Sequence, residues 1–315
     1  MADYIDRFTE AQAKLFEKKI KEVYGQAAKE VNQKIQKYLL RHRAIAARML
    51  AQVESGEISK ADYKKWLSGQ VFIGERWKAK VDDITNVYVN ADAKAREILG
   101  GVQKRVFMES ANRTAYDIGK KLFGAISFDI YDQKTVERLL KDNPKMLPEW
   151  KINEKKDYVW NEKRVQNAVT QGIIQGESIG DIGNRLTVEL SADNAAKMDM
   201  FARTAMTGAQ NAGRIERLKE TEEAGIEVKK KWLAARDNRV RDTHAELDGQ
   251  ERPVNEPFEV MGDDGRMMEI DYPGDPMAPP ELVYNCRCTM VYVYPKYELK
   301  HETHHFPSYK EWKGG

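Results

Sequence analysis

The distribution of proline constrains this chain more than any other single feature. The first proline is Pro144, and eight of the ten prolines lie at or after Pro253. Proline breaks helix interiors, whereas Ala, Lys, Glu, Gln and Leu, which are abundant before Pro144, are good helix formers. We therefore predict successive helices in the front half, beginning with one or two long helices over Asp3–Val53.

Local signals predict where these helices begin and end. The segment Glu54–Glu57 contains Ser and Gly and is predicted to interrupt the helices. Ser59 is a predicted N-cap, because Asp62 follows three residues later as its capping-box partner. We expect the pair Gly100-Gly101 to separate two further helices, and Ser191 to cap a helix whose inner face consists mostly of small residues.

The hydrophobic pattern changes after Gly225 from a helical period to a period of two. Alternation over residues 226–232 predicts a half-buried strand. Phe258–Met261 and Arg266–Ile270 flank a Gly-Asp-Asp-Gly turn and predict a hairpin, and Thr289–Tyr294 predicts a final strand. The predicted fold class is α+β, with a long, mostly helical N-terminal region followed by a small, β-rich α+β C-terminal module.

These patterns divide the chain into four predicted segments. Residues 1–150 form a helical N-terminal domain, and residues 151–225 form a second helical segment. Residues 226–296 form the small C-terminal module, and residues 297–315 form a polar tail.

Composition narrows the classes of protein to consider. No apolar run approaches eighteen residues, and the N-terminus lacks a basic start followed by an apolar stretch, so neither a membrane span nor a secretory signal is expected. The two cysteines lie one residue apart, where a disulfide would be strained, which favours a reducing compartment such as the cytoplasm. Residues 1–150 carry net positive charge and residues 151–315 net negative charge. This asymmetry fits either an acidic partner or ordinary solvated helix faces.

The most specific pattern in the sequence lies in the last third of the chain. It combines a tryptophan, a D-x-R-x-R-x-x-H stretch and an L-D-G triplet with an N-C-R-C motif some forty residues later. The residues of this signature are Trp232, Asp237, Arg239, Arg241, His244, Leu247, Asp248, Gly249, Asn285, Cys286, Arg287 and Cys288. In order and spacing the pattern resembles the phage Mu F-like family of head-morphogenesis and minor capsid proteins, and the resemblance covers about residues 160–294.

The resemblance implies a non-catalytic minor head protein of a tailed bacteriophage. Such proteins act in procapsid assembly near the portal, so the implied partners are the portal, the major capsid protein and non-specifically bound double-stranded DNA. The implied locations are the virion head or procapsid, and the host cytoplasm during assembly. No cofactor is expected apart from a candidate structural zinc. One departure is Ala205, where the family often has an acidic residue after an Arg-Thr pair.

Cys286, Cys288 and His244 are the candidate metal ligands. Thiolates and imidazole are common ligands of Zn²⁺, although structural sites usually space cysteines by two to four residues. Asp237 or Asp248 would be a fourth ligand. The alternative is that both cysteines are small buried groups at the start of a strand, with His244 hydrogen-bonded nearby.

The same segment supports an alternative function as a phosphate-directed hydrolase or nuclease. Asp237 and His244 would perform acid–base chemistry, while Arg239 or Arg241 would bind a phosphate. No paired carboxylates, glycine-rich phosphate loop or nucleophile motif accompanies them. The structural alternative is an Asp–Arg network that fixes the loop after the Trp232 strand.

Two sets of cations are candidates for binding nucleic acid or a protein partner. Residues 31–53 contain no Asp or Glu, and on one continuous helix their cations would form a basic stripe. Arg203 and Arg214 lie on the polar side of the Ala-rich helix, where the alternative is packing against the C-terminal module. The stripe consists of Lys34, Lys37, Arg41 and Arg48.

Overall fold

The computed structural model describes residues 3–122, 124–147, 154–235, 237–262, 264–294 and 306–314. It confirms the α+β class, with long helices in the front half and short strands in the last third. The helices are α1 Tyr4–Leu39, α2 Arg43–Glu54, α3 Lys60–Trp66, α4 Gly74–Lys121, α5 Gln133–Asp142, α6 Glu154–Gln175, α7 Ile179–Asn184, α8 Leu190–Glu223, α9 Asp242–Leu247, α10 Pro280–Val283 and α11 Tyr309–Gly314.

The strands of the C-terminal module form two small antiparallel sheets. The first has the order β2-β1-β5, so its central strand β1 pairs with both neighbours, and the second is the hairpin β3-β4. Both the predicted hairpin and the predicted final strand are confirmed. The strands are β1 Lys229–Leu233, β2 Glu251–Pro253, β3 Phe258–Met261, β4 Met267–Ile270 and β5 Thr289–Val293.

The capping box at the start of α3 is present as predicted. The Ser59 side chain accepts from the Asp62 backbone N–H at 3.1 Å, and the Asp62 carboxylate accepts from the Ser59 N–H at 3.1 Å. The predicted interruption before it is also present, because α2 ends at Glu54.

Two predicted helix boundaries are wrong. Gly100 and Gly101 lie inside α4, which runs without interruption from Gly74 to Lys121. Ser191 lies inside a helical run that extends from α7 through a π-helical turn into α8, and its hydroxyl contacts the Tyr88 hydroxyl at 3.0 Å. A buried side-chain partner therefore takes the place of the predicted capping role.

Contacts divide the chain into two compact units. One unit contains Met1–Phe16, Leu99–Trp150 and Met200–Gly315, and the other contains Glu17–Ile98 and Lys151–Asp199. Both units are built from segments that are distant in sequence, whereas the sequence predicts four successive segments. The boundaries at 150, 225 and 296 stay predictions.

A buried polar cluster lies inside the second of these units. The Tyr24 hydroxyl donates to Asp92 Oδ1 at 2.6 Å, and the Asn161 amide donates to Asp92 Oδ2 at 2.9 Å. Nearby, the Arg96 guanidinium donates to Asp157 Oδ1 at 2.8 Å. Burial raises the pKa of Asp92, while the hydrogen bonds from Tyr24 and Asn161 oppose that shift.

The unit that contains the C-terminal module is organised around the second half of α8. Its small inner-face residues are buried as predicted, including Ala205, Ala209 and Ala212. A Cβ atom at Gly208 would lie 2.5 Å from the Gly274 carbonyl oxygen, and one at Gly213 would lie 2.5 Å from the Phe107 carbonyl oxygen. Glycine at these two positions therefore allows α8 to approach α4 and the backbone at Gly274 closely.

The module has its own hydrophobic core. The period-two prediction for β1 is confirmed, because Val228, Lys230 and Trp232 are all buried. Burial lowers the pKa of Lys230 to about 8, and its ammonium donates to the Asp271 carbonyl oxygen at 2.8 Å. The core residues are Trp232, Leu247, Phe258, Val260, Ile270, Leu282, Val283, Cys286 and Cys288.

Candidate functional site

The two halves of the sequence signature meet in the C-terminal module. β1 pairs with β5 so that Trp232 lies opposite Met290, two residues beyond the N-C-R-C motif. The indole of Trp232 also contacts the imidazole of His244 edge-on, with ring centroids 5.6 Å apart. The tryptophan strand, α9 and the start of β5 thus share one core.

Asp237 and Arg287 join the two halves by an ion pair at the rim of the module. Arg287 Nη2 donates to Asp237 Oδ1 at 2.7 Å, and Nη1 donates to the other carboxylate oxygen. The Arg239 backbone N–H also donates to Asp237, whereas the Arg239 side chain is mostly exposed. The hydrogen bond from Arg287 is the main cause that lowers the pKa of Asp237 to about 2.

Three further signature residues form hydrogen bonds that hold backbone groups of the module in place. Arg241 donates from its guanidinium to the Tyr284 carbonyl oxygen. Asp248 Oδ1 accepts from the Ala234 N–H at 2.9 Å. Gly249 has a φ of 83°, which favours glycine, and its N–H donates to the Trp232 carbonyl oxygen at 2.9 Å.

Asn285 turns the chain immediately before the two cysteines. Its φ of 56° lies in the left-handed region, where asparagine is among the better-tolerated residues. Beyond this turn the Cys286 thiol folds back over the next residues, and Cys286 Sγ accepts from the Cys288 N–H at 3.4 Å. Both sulfurs therefore reach the same side of the backbone, although only one residue separates them.

The two thiols face one nitrogen of His244. Nδ1 lies 3.4 Å from Cys288 Sγ and 3.7 Å from Cys286 Sγ. The other ring nitrogen, Nε2, lies 3.0 Å from the Leu282 carbonyl oxygen. All three side chains are at most 3% exposed. We call this group the Cys–Cys–His cluster.

The two cysteines differ in their ease of ionisation. A hydrogen bond from Cys286 and a further one with His244 lower the pKa of Cys288 to about 5, although burial opposes this shift. The same interaction with Cys288, together with burial, raises the pKa of Cys286. These local interactions favour ionisation of Cys288 over that of Cys286.

Helix α8 holds the cysteine segment through a row of polar side chains, which we call the polar face of α8. Thr204 Oγ1 accepts from the Asn285 N–H at 3.0 Å, and Thr207 donates to the Cys286 carbonyl oxygen at 3.0 Å. Asn211 Oδ1 accepts from the Met290 N–H at 3.2 Å. The polar face consists of Thr204, Thr207, Gln210, Asn211 and Arg214.

Arg214 at the end of this face is a buried structural group. It is 3% exposed, donates to the Met290 carbonyl oxygen at 2.8 Å and forms ion pairs with Asp3 and Asp6. Its predicted contact with nucleic acid or a partner is therefore corrected, because the guanidinium is not accessible. Arg203 on the same helix is exposed.

Sequence reasoning missed Thr204, Thr207 and Asn211 as positioning residues. Their spacing of three and four along α8 places them on one helix face, and this spacing was the available signal. Nothing in the spacing indicated that their partners are backbone groups near residue 286.

The predicted basic stripe does not lie on one helix. α1 ends at Leu39, and a 3-10 turn over Leu40–His42 leads into α2. Lys34 and Lys37 therefore lie on α1, Arg41 in the turn and Arg48 on α2. Lys37, Arg41 and Arg48 are exposed, whereas Lys34 is partly buried and pairs with Glu30 at 3.5 Å.

The predicted catalytic group does not converge on a cavity. A surface depression of about 720 Å³ is lined by Arg241, Asp242, Thr243 and Glu281, among others, but neither Asp237 nor His244 belongs to the described residues that line it. His244 is 2% exposed and directs both ring nitrogens at groups inside the module. The described geometry therefore favours the structural network over acid–base catalysis.

Among the described residues, no helix combines the length and apolar character needed to cross a membrane.

Comparisons with known proteins agree with the signature. Residues 163–291 match the family described as Phage Mu protein F like protein. The chain is 24% identical to the Minor head protein GP7 of Bacillus phage SPP1 over 292 residues, which are 92% of this chain and 85% of that protein. No solved structure matches the chain.

A second relative carries the name of an enzyme. Over 160 residues, 48% of this chain, the sequence is 32% identical to the NAD(+)–arginine ADP-ribosyltransferase EFV of Enterococcus faecalis. The matched part is 31% of that protein, so this chain spans about a third of its length.

The family match contains the whole of α8, the Cys–Cys–His cluster and the ion pair of Asp237 with Arg287. The contacts that organise the C-terminal module therefore lie within the matched residues. Through residues 163–291, this chain is similar to the phage Mu protein F like family.

Proposed function

We propose that this chain is a minor head protein that acts in the assembly of a tailed-phage head. The observation that carries the proposal is the similarity to the SPP1 minor head protein, which extends over 92% of this chain and 85% of that relative. A match of this extent includes the helical front half as well as the C-terminal module.

The geometry of the signature supports a non-catalytic role. Of the charged signature residues, Asp237, Arg287 and Arg241 contact groups within the module, and His244 is buried. Catalytic side chains converge on a place where substrate can bind, whereas neither Asp237 nor His244 is among the described residues that line the depression beside Arg241. The module therefore serves as a folded unit for docking to other head components, with the portal and the major capsid protein as the proposed partners.

Mass spectrometry of purified procapsids and virions tests the proposal. The full chain is produced with the portal and major capsid proteins of its own phage, and in parallel with each of these alone. We expect a few copies per particle and co-purification with the portal. Absence from both procapsids and virions would overturn the proposed function.

The exposed cations Lys37, Arg41 and Arg48 support a second, finer proposal, namely non-specific contact with double-stranded DNA. Phosphate contacts are strongest at low salt, so binding to random duplex is expected at about 50 mM salt. If four cations each neutralise one phosphate, affinity falls roughly 100-fold between about 50 and 200 mM salt. A gel shift at both salt concentrations measures this dependence.

A charge-matched pair of variants locates the DNA contact. Replacing Lys34, Lys37, Arg41 and Arg48 together by alanine should abolish most of the binding. Replacing four other exposed lysines of α1, Lys18, Lys19, Lys21 and Lys29, changes the net charge equally and should preserve most of it. Equal loss in both variants would mean that only net charge matters, and no binding by the wild type would eliminate DNA contact.

The enzyme name of the second relative is tested directly. The purified full chain is incubated with labelled NAD⁺ and an arginine-rich protein, and separately with duplex DNA and divalent cations. We expect neither transfer of label nor cleavage of DNA. If either activity is found, and a substitution removes it without unfolding the protein, the non-catalytic role is contradicted.

A further inference from the structure

The Cys–Cys–His cluster has the dimensions of a metal site. With Zn–S bonds of about 2.3 Å and Zn–N bonds of about 2.0 Å, a sulfur and a nitrogen bound to one tetrahedral ion lie roughly 3.5–3.6 Å apart. The two distances from His244 Nδ1 to Cys288 Sγ and Cys286 Sγ are 3.4 and 3.7 Å, on either side of that value. All three ligand atoms lie within 4.8 Å of one another.

The orientation of His244 is an independent indication of a ligand. Imidazoles that bind metals usually donate their other ring N–H to a carbonyl or carboxylate, which fixes the tautomer. Nε2 of His244 lies 3.0 Å from the Leu282 carbonyl oxygen, an acceptor only, so Nε2 carries the proton and Nδ1 has a free lone pair. That lone pair faces the two sulfurs.

Hydrogen bonding alone accounts poorly for two thiols at one nitrogen. Nδ1 has a single lone pair in the plane of the ring, which accepts well from only one S–H. Cys286 Sγ is already the acceptor for the Cys288 backbone N–H. A cation between the three atoms satisfies both sulfurs and the nitrogen together.

Burial also favours a bound divalent ion. The three side chains are 1–3% exposed, where an isolated charge is costly. Two thiolates, a neutral imidazole and a divalent cation together carry no net charge. Thiolate and imidazole ligands select zinc among the common divalent ions of the cell.

We propose that His244 Nδ1, Cys286 Sγ and Cys288 Sγ bind one Zn²⁺ ion that joins α9 to the start of β5. The backbone turn at Asn285 allows both sulfurs to bind despite the one-residue spacing. Among the described His, Cys, Asp and Glu residues, only these three form such a group. Asp237 and Asp248, the fourth ligands considered from sequence, are held by Arg287 and by the Ala234 N–H instead.

Metal content of the full-length protein is the first test. Elemental analysis of protein purified under reducing conditions should give one zinc per chain. Cys288→Ser and His244→Ala should lose it, whereas Arg287→Ala, which alters the residue between the two cysteines but no ligand, should retain it. Retention of zinc by both ligand variants would place the metal elsewhere and overturn the proposal.

Cobalt substitution in the wild type keeps the test decisive if the ligand variants fail to fold. The protein is treated with a chelator and reconstituted with Co²⁺ alone. A tetrahedral thiolate site gives intense visible bands and a sulfur-to-cobalt charge-transfer band in the near ultraviolet. Protein isolated without zinc that also shows no charge-transfer band would overturn the proposal.

Thermal unfolding completes the test, because binding to the folded state stabilises it. Chelator should lower the melting temperature of the wild type and of Arg287→Ala, and should leave that of Cys288→Ser unchanged. Equal melting temperatures of the wild type with and without chelator, after complete metal removal, would contradict a structural zinc.

Discussion

Two regions of the molecule carry cations at helical spacing, and they differ in burial. On α8, Arg214 is 3% exposed and contacts two carboxylates and a backbone carbonyl. On α1, α2 and the turn between them, Lys37, Arg41 and Arg48 are exposed. The first region uses its polar residues to hold its own backbone, whereas the second presents charge to its surroundings. Spacing gives the direction of a side chain, and burial decides its role.

Removal of Arg214 should have the largest effect on stability. Arg214→Ala removes a buried side chain and its charge-assisted hydrogen bonds to the Met290 carbonyl and two partly exposed carboxylates, so we expect a loss of about 2–4 kcal/mol in the free energy of unfolding. The matched Arg48→Ala variant removes an exposed cation and should change it by no more than about 0.5 kcal/mol. Urea unfolding of both variants measures the difference. Equal losses of stability would contradict the contrast between the buried and the exposed cations.

A glycine pair sharpens the same contrast at the level of backbone packing. A Cβ atom at Gly208 of α8 would clash with the Gly274 carbonyl, so Gly208→Ala should destabilise the fold by about 1–3 kcal/mol. A Cβ atom added at Gly25 of α1 would have nothing within 4 Å, so Gly25→Ala should stabilise the fold by about 0.5–1 kcal/mol. Thermal or urea unfolding shows whether each variant is more or less stable than the wild type. Destabilisation by both substitutions would show that α1 is also tightly packed at Gly25.

Asp237 is an intermediate case, because its ion pair with Arg287 lies at the module surface. Its folded-state pKa of about 2 lies below the ordinary value of 3.8. The stabilisation is therefore fully present above about pH 4 and is lost as the pH falls from about 4 towards 2. The stability difference between wild type and Asp237→Asn should shrink over that range in urea unfolding at successive pH values. A difference that does not depend on pH would mean that the carboxylate charge contributes nothing.

Local sequence was sufficient for elements whose signals are local. The alternation around Trp232, the Gly-Asp-Asp-Gly turn and the capping box at Ser59 each depend on a few neighbouring residues, and each is confirmed. The tryptophan segment and the N-C-R-C motif are far apart in sequence. The structure brings them together through β1, β5 and the Asp237–Arg287 pair.

The errors concern features that tertiary contacts decide. Glycine costs a helix interior about 1 kcal/mol, a penalty that packing elsewhere along a long helix can offset, so α4 continues through Gly100 and Gly101. Nothing in the surroundings of these two residues explains why glycine is there. The role of Arg214 depends on Asp3 and Asp6, about two hundred residues earlier, and no local pattern indicates that pairing.

The ion pairs of Arg214 have a consequence for the order of folding during synthesis. Asp3 and Asp6 leave the ribosome well before Arg214, and the Met290 carbonyl follows after Arg214. A nascent chain can therefore bring the segment of Asp3 and Asp6 to α8 before the cysteine segment exists, but it cannot complete this junction until Met290 has been translated. Contacts of such long sequence separation form slowly, so ribosome-bound chains that end before residue 290 should remain sensitive to protease around α8.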